Sequence, residues 1–319
     1  MYKREKSLVS VIIPTYRRPD KLDDAINSVM QQTYNNWELL IIDDNNEGSE
    51  YRQETEKFMK SYTNNKKINY IKHKENQGGS AARNTGIKNS RGEYIAFLDD
   101  DDKWDFTKLE KMVNKIKDIS EDYGVCFSSY YIITEKGTFK ESQPKAQGNI
   151  YKKQLLKDHV GPTSTVLVKS TCFKKVGGFD ESLPARQDYD MWIRISEHYK
   201  FIYMDEPLVY IYRKNRGVND AISSNYMYNL KGTEIILDKL KEKIKKYDIR
   251  DQKEIYSSQY NYLGKMCCNL GNFRLGKIYL FKSLSYKFKN LLLLLLAILG
   301  SSTWNFIKNL IKEYNIKIS

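Results

Sequence analysis

A chain of 319 residues, 40% hydrophobic and 13% aromatic with 25 Tyr and only 6 Pro, can bury one full α/β core with an appendage, which excludes disorder for most of its length. Its four cysteines, Cys126, Cys172, Cys267 and Cys268, are too few for a disulfide scaffold and lack C-x-x-C spacing, so they exclude a zinc site of that kind and fit a reducing compartment. The net charge of +13 is uneven: residues 221–319 hold 17 basic against 7 acidic side chains, leaving only +3 for the first 220, so the basic excess belongs to the C-terminal segment.

The opening MYKREKSLVSVIIPTY has charges but no apolar stretch running into a small-residue cleavage site, so the chain is read as intracellular. Residues 9–15 (VSVIIPT) predict a first strand, and Pro19 and Asp20 open a helix with Leu22, Ala25, Ile26, Val29 and Met30 on one face. Residues 37–43 (WELLIID) predict a second strand, 49–62 a polar surface helix and 68–73 a third strand. A short helix over 80–89 follows the Gly78-Gly79 turn, and 94–98 (YIAFL) predicts a fourth strand that runs into Asp99, Asp100, Asp101 and Asp102. Strands separated by helix-length segments imply βαβ units and a mainly parallel, Rossmann-like sheet flanked by helices, with ligands at the carboxyl ends of its strands.

The middle third is less regular, with strands over 123–133 and 165–169, a helix over 189–198, and one or two strands over 201–212. Beyond about residue 220 Pro is absent and the pattern is helical. Leu291–Leu299 is an apolar run of nine, short of the ~20 residues a spanning helix needs, with Lys287, Lys289 and Lys308 around it. From Ile255 onward nine basic residues and one acidic residue are interleaved with Phe281, Phe288, Trp304 and Phe306. Charge alone would suit any polyanion, nucleic acid included, but the apolar residues need a hydrophobic partner that a phosphate backbone does not supply. An anionic membrane surface is therefore expected, or burial within the protein or against a second copy.

Asp43 and Asp44 follow the second strand and Asp99–Asp102 the fourth, so a parallel sheet brings both clusters to one rim. Adjacent carboxylates repel one another, and a divalent cation with a preference for hard oxygen ligands, Mg²⁺ or Mn²⁺, would relieve them. His73, His159 and His198 are scattered without ligand spacing and read as surface or structural residues.

Three strings, VSVIIPTYRRPDKLDDAINSVMQQTYNNWELLIIDDNN, NQGGSAARNTGI and GEYIAFLDDDD, resemble in order and spacing the inverting family 2 glycosyltransferases, over residues 8 to about 213. The resemblance implies the glycosyltransferase A fold, with 1–220 as a nucleotide-sugar-binding catalytic domain and 221–319 as a helical basic extension. It implies a nucleotide-sugar donor, usually UDP-linked, and a divalent metal. Pro14, Thr15 and Tyr16 then lie beside the nucleotide base, Asp44 accepts a hydrogen bond from it, Asp43 is structural, and Arg83 serves the nucleotide or its diphosphate. Asp99-x-Asp101 matches the family's Asp-x-Asp, with Asp101 for the metal, Asp99 for ribose or metal and Asp100 in nucleotide binding; with carboxylates also at Asp100 and Asp102, the inner shell stays open.

The segment GGFDESLPARQDYDMWIR aligns Asp188 with the family's catalytic base, and Gln187 stands where Glu is common. Asp190 competes, but if Asp188 faces the cleft a two-residue step of ~200° turns Asp190 away. In LVYIYRKNRGV the family's usual His is Asn215, which leaves the metal shell without a His and makes Arg213 and Arg216 candidates for the diphosphate. Asp102, Trp104 and Gln187 are further candidates for diphosphate or acceptor contacts, and Trp104 and Trp192 either face sugar rings or pack in the core.

The implied activity is metal-assisted, single-displacement transfer of a hexosyl group to a hydroxyl of a saccharide or lipid-linked saccharide, in capsule or other surface-polysaccharide synthesis at the cytoplasmic face of the membrane. The competing reading is a non-catalytic nucleotide-fold module that binds membrane or nucleic acid through its basic tail. A sugar-nucleotide pyrophosphorylase is set aside, because PTYRRPD lacks the glycine-rich phosphate loop such an enzyme needs.

Overall fold

The computed structural model describes residues 5–135, 137–141, 146–213, 225–286 and 291–313. Asn215, Arg216, Lys287, Phe288 and Lys289 lie outside the described residues. The chain divides into two compact units: residues up to 154, 158–182 and 187–213 form the first, and residues 155–157, 183–186 and the C-terminal helices form the second.

The first unit is built on a nine-stranded sheet. Strands β1 (Glu5–Thr15), β2 (Trp37–Asp43), β3 (Ile68–Lys72) and β4 (Gly92–Phe97) lie in the order β3-β2-β1-β4, all parallel. They are linked by α1 (Pro19–Met30), α2 (Glu50–Met59) and α3 (Gly79–Asn89), the βαβ arrangement that the sequence predicts. The apolar runs exist because both faces are covered. Val9, Val11, Ile13, Leu39 and Ile41 pack on one side with α1, whereas Ile12, Leu40, Ile42, Ile95 and Phe97 pack on the other with α3.

Beyond β4 the sheet becomes mixed. The next neighbours are β8 (Val166–Lys169), β6 (Tyr123–Thr134), β9 (Lys200–Tyr212) and β5 (Asp102–Trp104), and β7 (Gly137–Glu141) pairs with β6. Only β6 and β9 are parallel there; β4–β8, β6–β8, β5–β9 and β6–β7 are antiparallel. Helices α4 (Lys108–Ile116), α5 (Tyr151–Leu156), α6 (Ser170–Val176) and α7 (Gln187–Ser196) complete the series. The three-residue strand β5 and the hairpin strand β7 are absent from the sequence reading because so few residues carry no readable period.

Local differences have physical causes. Met30 is 41% exposed rather than buried with Leu22, Ala25, Ile26 and Val29, since it sits at the helix end and at the edge of their stripe. The helix expected over 49–62 ends at Met59 and tightens into a 3₁₀ turn over Lys60–Tyr62. Two glycines are required: Gly78 has φ +90 before α3, and a Cβ on Gly86 would stand 2.4 Å from the Ile12 side chain, so Gly86 lets α3 lie on β1.

The second unit contains α8 (Tyr226–Ile244), α9 (Ile249–Asn269), α10 (Phe273–Leu284), α11 (Leu291–Ile298) and α12 (Ser301–Glu313). Close packing of α9 on α10 depends on small residues, since a Cβ on Gly264 would meet Leu280 at 2.6 Å and one on Gly276 would meet Cys268 Sγ at 2.3 Å. Helix α11 buries Leu294 and Ala297 against Cys268, Leu280 and Trp304 but exposes Leu292, Leu295 and Ile298. Among the described residues, no helix is long and apolar enough to cross a membrane.

The first unit also buries a lysine. Lys108 is fully enclosed, its Nζ lies 4.0 Å from the Trp104 ring centroid and has no hydrogen-bond partner, and burial lowers the amine from 10.5 to about 7. Between those values the unfolded chain binds a proton that the folded chain does not, so stability rises with pH across that window. Lys108→Met, which fills similar volume without the amine, is expected to raise the melting temperature at neutral pH and to flatten that rise. Thermal unfolding from neutral pH to about 10 measures both. A lower melting temperature with the slope unchanged would contradict the assignment.

Candidate active site

At the carboxyl end of β4 four carboxylates follow one another, and each is held by a different arrangement of partners. Asp99 Oδ1 accepts from Arg83 Nη2 at 2.6 Å. Asp100 is 5% exposed and receives Thr15 Oγ1 at 2.9 Å and Arg18 Nη1 at 3.0 Å. The same Arg18 nitrogen lies 3.1 Å from Asp101 Oδ2. Asp102 is buried, and Ser164 Oγ donates to its Oδ2 at 2.6 Å. Burial pushes the Asp100 carboxyl up to about 7 despite Arg18 and raises Asp102 as well, the neighbouring aspartates adding to both. Asp99 and Asp101, with side chains 33% and 17% exposed, form the solvent-facing rim, whereas Asp100 and Asp102 turn inward.

Sequence-distant loops meet this rim. Strand register pairs Thr15 with Asp43 and Ile12 with Phe97, so the ends of β1, β2 and β4 reach one level. Thr15 is committed to Asp100, Pro14 and Tyr16 are half-buried, and the Arg17 guanidinium lies 4.8 Å from the Tyr16 ring centroid. Arg17 holds φ +58 while its N–H donates to Asn45 Oδ1 at 2.9 Å, which ties the first loop to the second. Asp43 is structural, bound by Arg52, Asn45 and Tyr70 inside the core.

Asp44 is also buried. Its Oδ1 faces His73 Nδ1 at 2.8 Å and accepts from Gln77 N, and its Oδ2 accepts from Asn76 Nδ2 and Gly78 N. Expected as a direct contact to a base, it is engaged in folding the 76–78 loop that leads into α3 and Arg83. His73 bridges Asp44 and Thr85 and is structural, as its isolation in the sequence suggested.

The other wall comes from residues 158–164 and α7. Asp158 Oδ1 accepts from Gln154 Nε2, Val160 N and Gly161 N, all at 3.0–3.1 Å. Gly161 in turn accepts the indole N–H of Trp192, which is fully buried and therefore packs in the core rather than facing a sugar. Asp188, in the first turn of α7, is half-buried; burial and the Asp158 carboxylate push it up to about 6, with Asp99 adding and the Tyr189 N–H and Arg83 opposing. Asp190 is turned inward and paired with Arg194 at 2.8 Å, the opposite orientation to Asp188 that helical geometry requires.

Asp102 and Trp104, expected at the diphosphate or acceptor, are both buried: Asp102 opens β5 beneath the rim, and Trp104 lies in the core with its indole N–H on the Ser164 carbonyl at 2.9 Å. Gln187 begins α7 beside Asp188. Arg213 is exposed just past Ile211, the register partner of Asp102, with its N–H on the Ile133 carbonyl. The sequence reading missed Arg18, Asp158 and Ser164. Arg18 left a trace, because a cation at the start of a helix opposes the helix dipole and calls for a nearby anion. Asp158 and Ser164 left none.

The profile of the family described as glycosyl transferase family 2 matches residues 10–177, more than half of the chain. An uncharacterized glycosyltransferase of Methanocaldococcus jannaschii is 36% identical over 232 residues, covering 71% of this chain and 76% of that protein. A Bacillus subtilis protein described as the putative teichuronic acid biosynthesis glycosyltransferase TuaG is 31% identical over 224 residues, 69% of this chain and 83% of that protein. An uncharacterized glycosyltransferase of Rickettsia felis is 37% identical over 194 residues; this chain spans only 31% of its length. Among solved structures, S. aureus TarS 1-349 in complex with UDP shares the fold, with TM-score 0.56 and 16% identity over 88% of both chains. The mannosyltransferase PcManGT from Pyrobaculum calidifontis, in complex with GDP-Man and Mn²⁺, has TM-score 0.56 and 13% identity over 87% of this chain and 75% of that one. The glycosyltransferase A type of α/β fold with C-terminal helices is therefore the fold of this chain.

The Asp158–Asp188 arrangement is testable without substrate. In carboxylate-labelled protein, Asp188 should titrate near pH 6 by NMR. Asp158→Asn, which keeps the Oδ1 acceptor for the loop N–H groups but removes the charge, should move that midpoint downward. An ordinary carboxylate midpoint in the wild type would contradict the reading.

Proposed function

The chain belongs to glycosyl transferase family 2, and from that premise we propose that it transfers a sugar, with inversion, from a UDP-linked donor to a hydroxyl of a saccharide or lipid-linked saccharide in surface-polysaccharide assembly. The observation that supports this reading best is the meeting of the Asp99–Asp101 rim, Arg83 and the half-buried Asp188 at one end of the sheet. A donor diphosphate needs cationic partners, and an acceptor hydroxyl needs a base.

In this reading the base lies between the Tyr16 loop and the 76–78 loop, which Asp44 shapes, and Arg83 serves the diphosphate. Asp188 takes the proton of the acceptor hydroxyl while its oxygen bonds to the anomeric carbon. The bond from that carbon to the diphosphate breaks on the opposite face, and the nucleoside diphosphate leaves with the electron pair. A carboxylate raised to about 6 is ionised at neutral pH yet more basic than an ordinary aspartate, which suits general-base work.

Asp99 and Asp101 offer hard oxygen donors open to solvent, and Mg²⁺ or Mn²⁺ is commonly held by one or two carboxylates with substrate phosphate and water filling the rest. Among the described residues no three candidate ligands converge, so the fit is to a site completed by the donor. Bound there, the cation would supply Lewis-acid neutralisation of the departing diphosphate.

Screening nucleotide sugars for metal-dependent release of nucleoside diphosphate tests the activity. Asp188→Asn should lose at least about 100-fold in turnover with donor binding unchanged, whereas Asp101→Ala should lose the Mn²⁺-dependent part of UDP affinity by calorimetry. No release with any nucleotide sugar, or full activity in Asp188→Asn, would refute it.

We also assign the C-terminal unit to an anionic membrane surface. Phe281, Leu292, Leu295, Ile298, Leu299 and Phe306 are exposed, within a segment of nine basic and one acidic residue. Leu295→Glu with Leu299→Glu should abolish co-sedimentation with phosphatidylserine vesicles, and salt should weaken wild-type binding. Equal recovery with neutral vesicles, or a dimer that these substitutions dissociate, would overturn the assignment in favour of a face covered by protein.

A further inference from the structure

We propose that Arg18 is a resident cation that neutralises Asp100 and Asp101 before donor binds and gives up Asp101 to the divalent metal, so that this side chain sets the metal affinity of the site. The inference rests on the metal-assisted reading above and adds the residue of the chain that opposes the metal.

One guanidinium nitrogen bridges two carboxylates, 3.0 Å from Asp100 Oδ1 and 3.1 Å from Asp101 Oδ2. That position is unfavourable without them. Arg18 is the N-cap of α1, its side chain provides no capping acceptor, and the helix dipole repels a cation there. The carboxylates therefore hold the guanidinium in place as much as it holds them.

The surroundings separate what is fixed from what can move. Backbone on the N-terminal side is pinned through the Arg17 N–H to Asn45 and the Thr15 hydroxyl to Asp100. The Arg18 side chain is long and 34% exposed, free to swing outward on that fixed backbone. Asp100 retains Thr15 when Arg18 leaves, and it is buried. Asp101 is the more open of the two, so the metal reaches its oxygens first. A dication on Asp101 and a guanidinium about 3 Å from the same carboxylate repel one another, and one must yield. Arg83 is not equivalent, since its partner is Asp99.

The test is Mn²⁺ binding to the full chain, followed by the paramagnetic resonance of free Mn²⁺, with and without UDP. Arg18→Met is expected to bind Mn²⁺ about tenfold more tightly than wild type. Arg18→Lys, which keeps the charge but lacks the planar fork, should fall between them. Arg17→Gln is the control: it removes one exposed positive charge that lies over Tyr16 rather than on the aspartates, and should stay within about twofold of wild type. Without metal, Arg18→Met should melt below wild type, and Mn²⁺ with UDP should restore more of its stability than they add to wild type.

Equal or weaker Mn²⁺ binding in Arg18→Met, beside a wild type that binds, overturns the inference alone. Equal gains in Arg18→Met and Arg17→Gln overturn it too, as an unspecific effect of net charge. If Arg18→Met does not fold, Arg18→Lys decides on the same readout. Absence of Mn²⁺ binding in every form, wild type included, removes the metal reading on which the inference stands.

Discussion

Four carboxylates in a row at the end of one strand constrain everything around them. Left in a low-dielectric pocket without partners, Asp99–Asp102 would repel one another strongly enough to stay protonated or to open the loop. The fold answers by distributing them: two turn inward onto hydroxyls from Thr15 and Ser164, and two face outward onto Arg18 and Arg83. Those four partners come from the ends of β1, the start of α1, the helix α3 and the turn before β8. The acidic run thus binds segments 65 and 85 residues away from it in sequence.

The sheet makes this possible by bringing strand ends to one level. Its parallel half has apolar residues on both faces, so a one-residue slip would move every side chain into the wrong core. Gly86 allows α3 to lie against Ile12, which in turn sets the height at which Arg83 meets Asp99. On the other side, the indole of Trp192 anchors Gly161 and so the loop that carries Asp158. The raised proton affinity of the Asp188 carboxylate comes from its burial and from the Asp158 carboxylate that this loop carries.

The C-terminal unit follows a different rule. Its helices approach closely through Gly264 and Gly276 and bury one side of the leucine-rich α11 while leaving leucines on the other side in water. The proposed anionic membrane surface would match both that exposed apolar face and the basic composition around it.

The parallel strands, the helices between them, the acidic rim and the opposite orientations of Asp188 and Asp190 on their helix are legible in the residues alone. They are so because hydrophobic period, turn residues and helical angle are local properties. The sequence also carried the family resemblance, since the matching strings are contiguous. Folding in three dimensions fixes which carboxylates face solvent, that Asp44 is engaged by His73 and the 76–78 loop and Thr15 by Asp100, that Asp102, Trp104 and Trp192 belong to the interior, and that Arg18 and Asp158 belong beside the rim. Each of those outcomes depends on burial and on partners far away in the chain, and neither is written in the neighbouring residues. The antiparallel pairing and the strands β5 and β7 escaped for the same reason: a strand as short as β5 has no period of its own, and pairing with β9 makes it a strand.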